Sequence, residues 1–318
     1  MERETRFRRL LISAPARLTT YGQRVFEKFE RAGLPTVELD ADGDLQRHPD
    51  ASRTGSLLVA HAPSMGWLTV AEHGVLATRP GERYVNPIVG CNSACTYCYL
   101  RGQDVGLRPV RLHVGLDSLL AALQADLDAA GPGVRRLYCT GELADSLADA
   151  ELFPVGALLA DFFATKPDAT LELRTKSRNV DDLLTVKHNS KTTVSFSLAP
   201  QALIDRHEPG TASFDERIEA ARRCQVAGYP IAFKLEPLLV SSEWKELYRE
   251  YAGLDRRSSG HIGGAARERR LSSLELPPGS RAHIRETVSG DDRIRGLDQL
   301  PTGQAKRHRH VFRAPRNL

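Results

Sequence analysis

The segment Cys91-Asn92-Ser93-Ala94-Cys95-Thr96-Tyr97-Cys98 places three of the chain's five cysteines within eight residues, in the spacing C-x3-C-x2-C. Three thiolates can hold three irons of a 4Fe-4S cluster and leave the fourth iron without a protein ligand. An open iron of this kind can bind a substrate or a cofactor, whereas a cluster with four cysteine ligands only passes electrons. The spacing therefore predicts a cluster that takes part directly in chemistry.

A zinc site is the alternative interpretation of the same cysteines. Structural zinc sites take four ligands, commonly from two paired knuckles. The sequence has no second C-x2-C pair, and the remaining cysteines, Cys139 and Cys224, are isolated. The iron–sulfur interpretation is therefore favoured.

The composition is typical of a globular protein, with 41% hydrophobic and 26% charged residues among 318. No apolar run approaches the roughly 20 residues that a membrane span needs. The N-terminus carries charges of both signs without a following leader-type apolar stretch, and the clustered cysteines do not resemble a disulfide framework. We therefore expect a cytoplasmic protein.

Three regions follow from the patterning. Residues 1–80 predict a small α/β unit, and residues 81–254 alternate strands with helices. Five consecutive βα units predict a partial (β/α)6-type barrel, an α/β fold whose active site lies at the carboxyl ends of the strands. The elements predicted for the barrel are strands at 84–89, 134–139, 171–175, 192–198 and 231–235, and helices at 116–127, 155–163, 180–186, 214–227 and 244–251.

Residues 255–318 differ from the rest of the chain. They carry 14 Lys and Arg against 7 Asp and Glu, and they have no helical or strand periodicity. This composition favours disorder or a loosely docked tail. A basic segment could also contact phosphates of a nucleic acid, although a solvated tail is the simpler interpretation.

Several stretches together are similar to the spore photoproduct lyase family of radical S-adenosylmethionine (SAM) enzymes. They are, in family order, IVGCNSACTYCYL from Ile88, CTGELADSL from Cys139, LRTKSRNVDDLL from Leu173, KHNSKTTVSFSL from Lys187 and EPGTASFDERIEAARRCQVAGYP from Glu208. The resemblance implies a 4Fe-4S cluster and SAM as cofactors. It implies reversion of the thymine dimer 5-thyminyl-5,6-dihydrothymine in DNA to two thymines, by way of a 5′-deoxyadenosyl radical. Damaged DNA and a reducing electron donor such as flavodoxin or ferredoxin are the implied partners.

The resemblance also implies roles for individual residues. The metal ligands are Cys91, Cys95 and Cys98. Cys139 matches the cysteine that returns a hydrogen atom to the product thymine, and Tyr97 and Tyr99 match two tyrosines near the cluster. The residues that match the SAM site are Gly141, Glu142, Lys176 and Ser197.

Each of these roles has a simpler alternative. A lone cysteine on a buried strand is usually a core residue, tyrosines near a loop usually pack, and Thr140-Gly141-Glu142 could be an ordinary turn. The aromatic and basic hairpin by which the family wedges the lesion out of the duplex is not recognisable in residues 255–318. That segment is either a divergent replacement or the product of a shifted reading frame near Leu254. A radical SAM enzyme acting on another nucleotide or nucleic-acid substrate, or a degenerate member without activity, therefore remains an alternative.

Overall fold

The computed structural model describes residues 6–64, 66–70, 82–98, 109–240, 247–248, 266–275 and 283–287. For residues 70, 236–240, 266–275 and 283–287 only the backbone is described. The candidate residue Tyr99 lies outside these ranges. So does most of the helix predicted at 244–251, of which Leu247 and Tyr248 are helical.

The described residues form six α-helices and thirteen strands. The helices are α1 (Ala14–Arg17), α2 (Thr20–Arg31), α3 (Leu116–Ala130), α4 (Val155–Ala164), α5 (Gln201–His207) and α6 (Phe214–Val226). The strands are β1 (Arg9–Ser13), β2 (Thr36–Leu39), β3 (Ser56–Ala60), β4 (Leu68–Val70), β5 (Arg83–Val85), β6 (Ile88–Val89), β7 (Val110–His113), β8 (Arg136–Thr140), β9 (Ala169–Thr175), β10 (Thr192–Ser197), β11 (Ile231–Val240), β12 (Ala266–Glu275) and β13 (His283–Thr287).

The fold is mixed α/β, with two sheets that are largely parallel. The first has the strand order β2-β1-β3-β7-β6, and only its last pair is antiparallel. The second has the order β13-β12-β11-β10-β9-β8-β5-β4. Its six central strands run parallel in chain order, and β4 and β13 pair antiparallel at its two edges.

Near the domain boundary predicted at residue 80, the assignment of strands to the two sheets does not follow their order in the chain. Strand β4 precedes this point and joins the second sheet, whereas β6 and β7 follow it and join the first. The division into 1–80, 81–254 and 255–318 therefore does not coincide with the division between sheets, and it stays a prediction.

The prediction of a single strand at 84–89 was wrong, since two strands, β5 and β6, occupy this region. The chain leaves the second sheet after β5 and enters the first at β6, with Asn86 and Pro87 between them. Proline has no N–H to donate to a sheet ladder, so a strand is readily interrupted there. The carbonyl of Pro87 instead accepts a hydrogen bond from the N–H of His113 at 2.9 Å.

Side chains alternate between the two faces of the second sheet, as strand geometry requires. The face that meets the helices is apolar. On it, the ring centroids of Tyr138 and of Phe163 in α4 are 4.9 Å apart. The other face is polar yet buried. It carries the side chains of Cys139, Glu172, Arg174, Ser195 and Lys234.

Helix α6 begins as the sequence predicts, at a capping box. The side chain of Ser213 accepts from the N–H of Glu216, and the Glu216 carboxylate accepts from the N–H of Ser213. These contacts satisfy two donors that a helix N-terminus otherwise leaves unpaired. Among the described helices, none has the length and apolar character that a membrane crossing requires.

Candidate active site

The cysteine loop, residues 91–98, begins directly after β6 and Gly90. Gly90 has a φ of 89°, in the left-handed region that favours glycine. Its N–H donates to the carbonyl of Leu143 at 2.8 Å, in the connection that follows β8. None of the three cysteines forms a disulfide; Cys95 is buried, and Cys91 and Cys98 are half-buried.

The loop lies against the connection between α5 and α6. The N–H of Ala94 donates to the carbonyl of Pro209 at 2.9 Å, and the N–H of Thr96 donates to the carbonyl of His207 at 2.9 Å. The Thr96 hydroxyl also contacts Nδ1 of His207 at 2.9 Å. Main-chain bonds at two alternate residues fix the path of the loop backbone between its cysteines.

Tyr97 points from the loop toward a buried carboxylate. Its hydroxyl donates to Oε1 of Glu208, whose other oxygen accepts from Arg217 at 2.5 Å. The ammonium of Lys176 lies 5.8 Å from the centroid of the Tyr97 ring. Burial and the neighbouring Glu208 raise the pKa of Tyr97 well above its ordinary value, so its phenol keeps its proton.

The donor set of the loop fits an iron–sulfur cluster. Three cysteine sulfurs within eight residues are the ligands such a cluster takes, and no disulfide competes for them. Burial raises the pKa of Cys91 to about 12, with the charge of Asp145 adding to the effect. Burial also raises the pKa of Cys95. Metal binding at these sulfurs would therefore release protons, as thiolate ligation generally does.

Cys139 lies on β8, fully buried on the polar face of the second sheet. Its thiol donates to Oε1 of Glu82 at 2.9 Å and lies 3.5 Å from Oε2 of Glu172. Nη2 of Arg174 approaches the sulfur at 3.3 Å. Burial is the main cause that raises the pKa of Cys139 well above its ordinary value; Glu172 and Glu82 add to it, and Arg174 opposes it.

Glu172 is the centre of the charge network around Cys139. It accepts from Lys234 at 2.5 Å, from the Ser195 hydroxyl at 2.6 Å and from Arg174 at 3.0 Å. Burial alone would raise the pKa of Glu172, but the two cations hold it below its ordinary value. The carboxylate is therefore ionised inside the protein.

Glu82, Cys139 and Glu172 each offer one ligand atom within 4.8 Å of one another. This cluster could in principle hold a metal ion. The guanidinium of Arg174, however, donates to all three side chains. The position that a cation would take is therefore filled by the protein itself.

The sequence profile of the spore photoproduct lyase family matches residues 15–259. The chain belongs to the spore photoproduct lyase family. Members of this family are radical SAM, iron–sulfur enzymes of DNA repair. A curated spore photoproduct lyase of Geobacillus sp. (strain Y412MC61) is 30% identical over 238 residues, which is 72% of this chain and 67% of the relative. One from Bacillus subtilis (strain 168) is 29% identical over 235 residues, 72% of this chain and 66% of the relative.

Solved structures of spore photoproduct lyases share the fold. One in which a tyrosine is replaced by phenylalanine has a TM-score of 0.72 at 20% identity and covers 92% of this chain and 93% of its own. Another, a cysteine-to-alanine mutant with dinucleoside spore photoproduct, has a TM-score of 0.70 at 23% identity. The match covers 83% of this chain and 77% of that one. The matched stretch spans about two thirds of the length of the curated relatives.

The family-matched Gly141 and Glu142 follow β8 directly. Gly141 has a φ of 92°, and a Cβ there would lie 2.7 Å from the carbonyl oxygen of Arg174, so no other residue fits without a shift. Glu142 lies 3.4 Å from Nη1 of Arg174. The turn thus sets a carboxylate at the carboxyl end of the strand that carries Cys139.

Lys176 and Ser197 follow at the ends of β9 and β10. The N–H of Lys176 donates to the Asp145 carboxylate at 2.6 Å. The carbonyl of Ser197 accepts from Nη1 of Arg217 at 2.7 Å. The structure brings Lys176 beside Tyr97 and Glu142 beside Arg174; the cofactor and catalytic roles of these residues stay predictions.

Sequence reasoning missed the charged residues that surround these side chains, among them Glu82, Glu172, Arg174, Glu208 and Arg217. One signal was available. Leu171-Glu172-Leu173-Arg174 alternates apolar and charged residues, which in a strand covered by helices on one face indicates a polar second face. Glu208 and Arg217 both lie in the family-like stretch that starts at Glu208, but nothing in the stretch indicates that they form a buried ion pair.

Proposed function

We propose that this protein is a radical SAM carbon–carbon lyase that reverts 5-thyminyl-5,6-dihydrothymine in DNA to two thymines. We further propose that the second sheet, with six parallel strands in chain order, forms the partial (β/α)6-type barrel of radical SAM enzymes. Membership of the family supports both proposals. So does a solved relative with bound AdoMet and dinucleoside spore photoproduct, which shares the fold with a TM-score of 0.68.

Cys91, Cys95 and Cys98 would hold three irons of a 4Fe-4S cluster and leave the fourth open to SAM. When bound, the two cofactors supply a 5′-deoxyadenosyl radical, which removes a hydrogen atom from the substrate. Glu142 is suited to face the ammonium group of SAM, since a carboxylate and an ammonium form a charge-assisted hydrogen bond. Gly141, Lys176 and Ser197 would complete that site.

Cys139 would donate a hydrogen atom from its thiol to the carbon radical left on the product thymine. The bond that breaks is S–H, and the bond that forms is C–H, so the unpaired electron passes to the sulfur. This step needs a protonated thiol. Burial and the carboxylates of Glu82 and Glu172 favour that state by raising the pKa of Cys139.

Tyr99 would return a hydrogen atom to the sulfur radical of Cys139: its O–H bond breaks, an S–H bond forms, and the unpaired electron passes to the tyrosine oxygen and from there back toward SAM. Tyr97 would be the second tyrosine near the cluster, where its buried hydroxyl keeps its proton and donates to Glu208.

Lesion-bearing DNA would be the substrate, and a low-potential donor such as flavodoxin or ferredoxin would supply the electron. Residues 255–318 carry 14 basic and 7 acidic residues, and this net positive charge supports contact of the segment with the phosphates of DNA. A cluster held by three cysteines that form no disulfide favours a reducing compartment, so we assign the protein to the cytoplasm.

One contact carries the proposal. The N–H of Gly90, next to the first cluster cysteine, donates to the carbonyl of Leu143 in the connection after β8. The cysteine loop and the strand that carries Cys139 are therefore joined at one end of the sheet, where parallel sheets place their active sites.

The test is repair of a defined substrate. Anaerobically reconstituted protein with SAM and dithionite should convert dinucleoside spore photoproduct to thymidylyl-thymidine, measured by chromatography. Cys95→Ala is the control that removes one cluster ligand and should abolish turnover. If the wild-type protein cleaves SAM but leaves this substrate unchanged, it acts on another nucleotide or nucleic acid.

A further inference from the structure

Arg217, on α6, has a side chain with no exposed surface. Three nitrogens of its guanidinium reach four acceptors. Nε donates to the carbonyl of Ala212 at 2.9 Å, and Nη1 donates to the carbonyl of Ser197 at 2.7 Å. Nη2 donates to Oε2 of Glu208 at 2.5 Å and to the Thr211 hydroxyl at 2.7 Å.

These acceptors belong to three different parts of the chain. Ser197 ends β10, Thr211 and Ala212 lead into α6, and Glu208 follows α5 directly. A planar fork can satisfy acceptors in several directions at once, whereas the point charge of a lysine cannot. Arg217 therefore fixes the connection between α5 and α6 against the end of the sheet.

This connection is the surface on which the cysteine loop lies. His207 and Pro209 accept the two main-chain bonds from Thr96 and Ala94, and Glu208 between them accepts from Tyr97. All three consecutive residues contact the loop, and the middle one is held by Arg217.

A buried ion pair is a weak source of stability, because desolvation of both charges offsets most of their attraction. Replacement of such a pair by apolar residues of similar volume is often neutral or stabilising. A fully buried Arg–Glu pair in contact with a ligand-bearing loop is better explained by the geometry that it imposes.

We propose that Arg217, acting through Glu208, is a positioning residue that holds the cysteine loop 91–98 in the conformation that receives the cluster. The proposal rests on the proposed function only for the identity of the bound group.

The first test measures alkylation of each cysteine in the metal-free protein by mass spectrometry. Cys95, in the loop, and Cys224, on α6, are both buried, with exposed fractions of 7% and 0%. In Arg217→Lys, Cys95 should react about tenfold faster, as expected for loss of a charge-assisted hydrogen bond that opposes local opening. Cys224 should react at the wild-type rate, and so should both cysteines in the control Arg222→Lys, on the exposed side of the same helix. Equal acceleration of Cys95 and Cys224, or no acceleration of Cys95, would overturn the proposal.

A second variant covers the case in which Arg217→Lys does not fold. Tyr97→Phe removes one bond between the loop and Glu208 and leaves the Arg217–Glu208 pair intact. It should accelerate alkylation of Cys95 by a smaller factor, again without an effect on Cys224. An unchanged Cys95 rate in Tyr97→Phe would contradict transmission through Glu208.

Reconstitution provides the spectroscopic readout. Arg217→Lys should bind less iron and sulfide per chain than wild type, and the cluster that forms should respond less to SAM in its electron paramagnetic resonance spectrum. Failure of the wild-type protein to take up iron and sulfide would count against the proposed function, while the alkylation contrast would still decide the role of Arg217.

Discussion

The thiol of Cys139 donates a hydrogen bond to Oε1 of Glu82 at a sulfur–oxygen distance of 2.9 Å, in the buried polar face of the second sheet. Its backbone pairs with Tyr84 of β5 on one side and with Glu172 of β9 on the other. The thiol is therefore fixed by neighbouring strands and surrounded by charges that favour its protonated form. This combination distinguishes Cys139 from a core cysteine such as Cys224, which is buried on α6 beside Ala220 and Ala221.

Replacement of Cys139 should separate radical formation from product formation. Cys139→Ala should still cleave SAM to 5′-deoxyadenosine but should yield fewer intact thymines, because the product radical lacks its hydrogen donor. The measurement is the ratio of restored thymine to 5′-deoxyadenosine by chromatography. Cys224→Ala removes an equally buried thiol and should keep the wild-type ratio. An unchanged ratio in Cys139→Ala would remove this residue from the mechanism.

Glu82→Gln should lower the pKa of Cys139. The negative charge of Glu82 disfavours the thiolate, so the neutral amide removes one of the causes that raise this pKa. The thiolate should then form at lower pH than in wild type, measured by ultraviolet thiolate absorbance after subtraction of the Cys139→Ala spectrum. Glu151→Gln, at an exposed position, is the control and should leave the titration unchanged. If the thiolate of Glu82→Gln formed at higher pH than in wild type, the Glu82 carboxylate would lower the pKa of Cys139 instead of raising it.

Arg174→Gln should destabilise the protein strongly. It leaves Glu82 and Glu172 buried without their shared cation, and loss of one partner of a buried ion pair typically costs about 3–5 kcal/mol. Arg178→Gln, four residues along the chain, breaks an exposed pair with Glu216 and should cost roughly 0–1 kcal/mol. Urea unfolding of both variants measures the contrast. Similar losses in the two variants would contradict this expectation, because removal of the cation would then leave Glu82 and Glu172 at no greater cost than loss of a surface partner.

His113 should make the free energy of unfolding depend on pH. Burial, with the charge of Arg111, lowers the pKa of His113 to about 4 from its ordinary value of 6.5. The folded protein then keeps this ring neutral while the unfolded chain takes up a proton. The stability present above pH 6.5 is therefore lost progressively as the pH falls to about 4, by roughly 3 kcal/mol.

His113→Phe tests this dependence, since a phenyl ring can keep the edge contact with Trp67. Unfolding by urea between pH 7 and pH 4 should give a flatter profile for the variant than for wild type. Parallel profiles would assign the acid sensitivity to other groups.

Local patterns in the sequence predict much of the secondary structure. The apolar stripe of α3, the capping box of α6 and the strands β8 to β10 were predicted to within a few residues. Elements held by long-range pairing were missed. Strand β7 has only four residues, and although Val110-Arg111-Leu112-His113 alternates apolar and polar side chains, so short a run is weak evidence for a strand. Its pairing with β3 and β6 defines it.

The basic segment, residues 255–318, also contains strands that local sequence patterns did not predict. Strands β12 and β13 lie in the range 255–318, where no strand was predicted. The sequence of β12, ARERRLSSLE, mixes charged, polar and apolar residues without a period of two. Its parallel pairing with β11 supplies what the local pattern lacks.

In the candidate site, too, some residues could be predicted from sequence motifs and others only from the fold. The cysteine spacing alone predicts the cluster ligands, and the family resemblance selects Cys139. The positions of Arg174 and Arg217 depend on acceptors that other strands and loops bring near them. Chemistry carried by a contiguous motif could therefore be predicted, and the charged residues that hold it required the fold.

The central claim is that the three-cysteine loop carries a cluster with one iron open to SAM. The direct measurement is the electron paramagnetic resonance spectrum of the anaerobically reconstituted, dithionite-reduced protein before and after addition of SAM. We predict a signal typical of a reduced 4Fe-4S cluster whose shape and position change when SAM is added. Absence of that signal, or a signal that SAM leaves unaltered, would contradict the account.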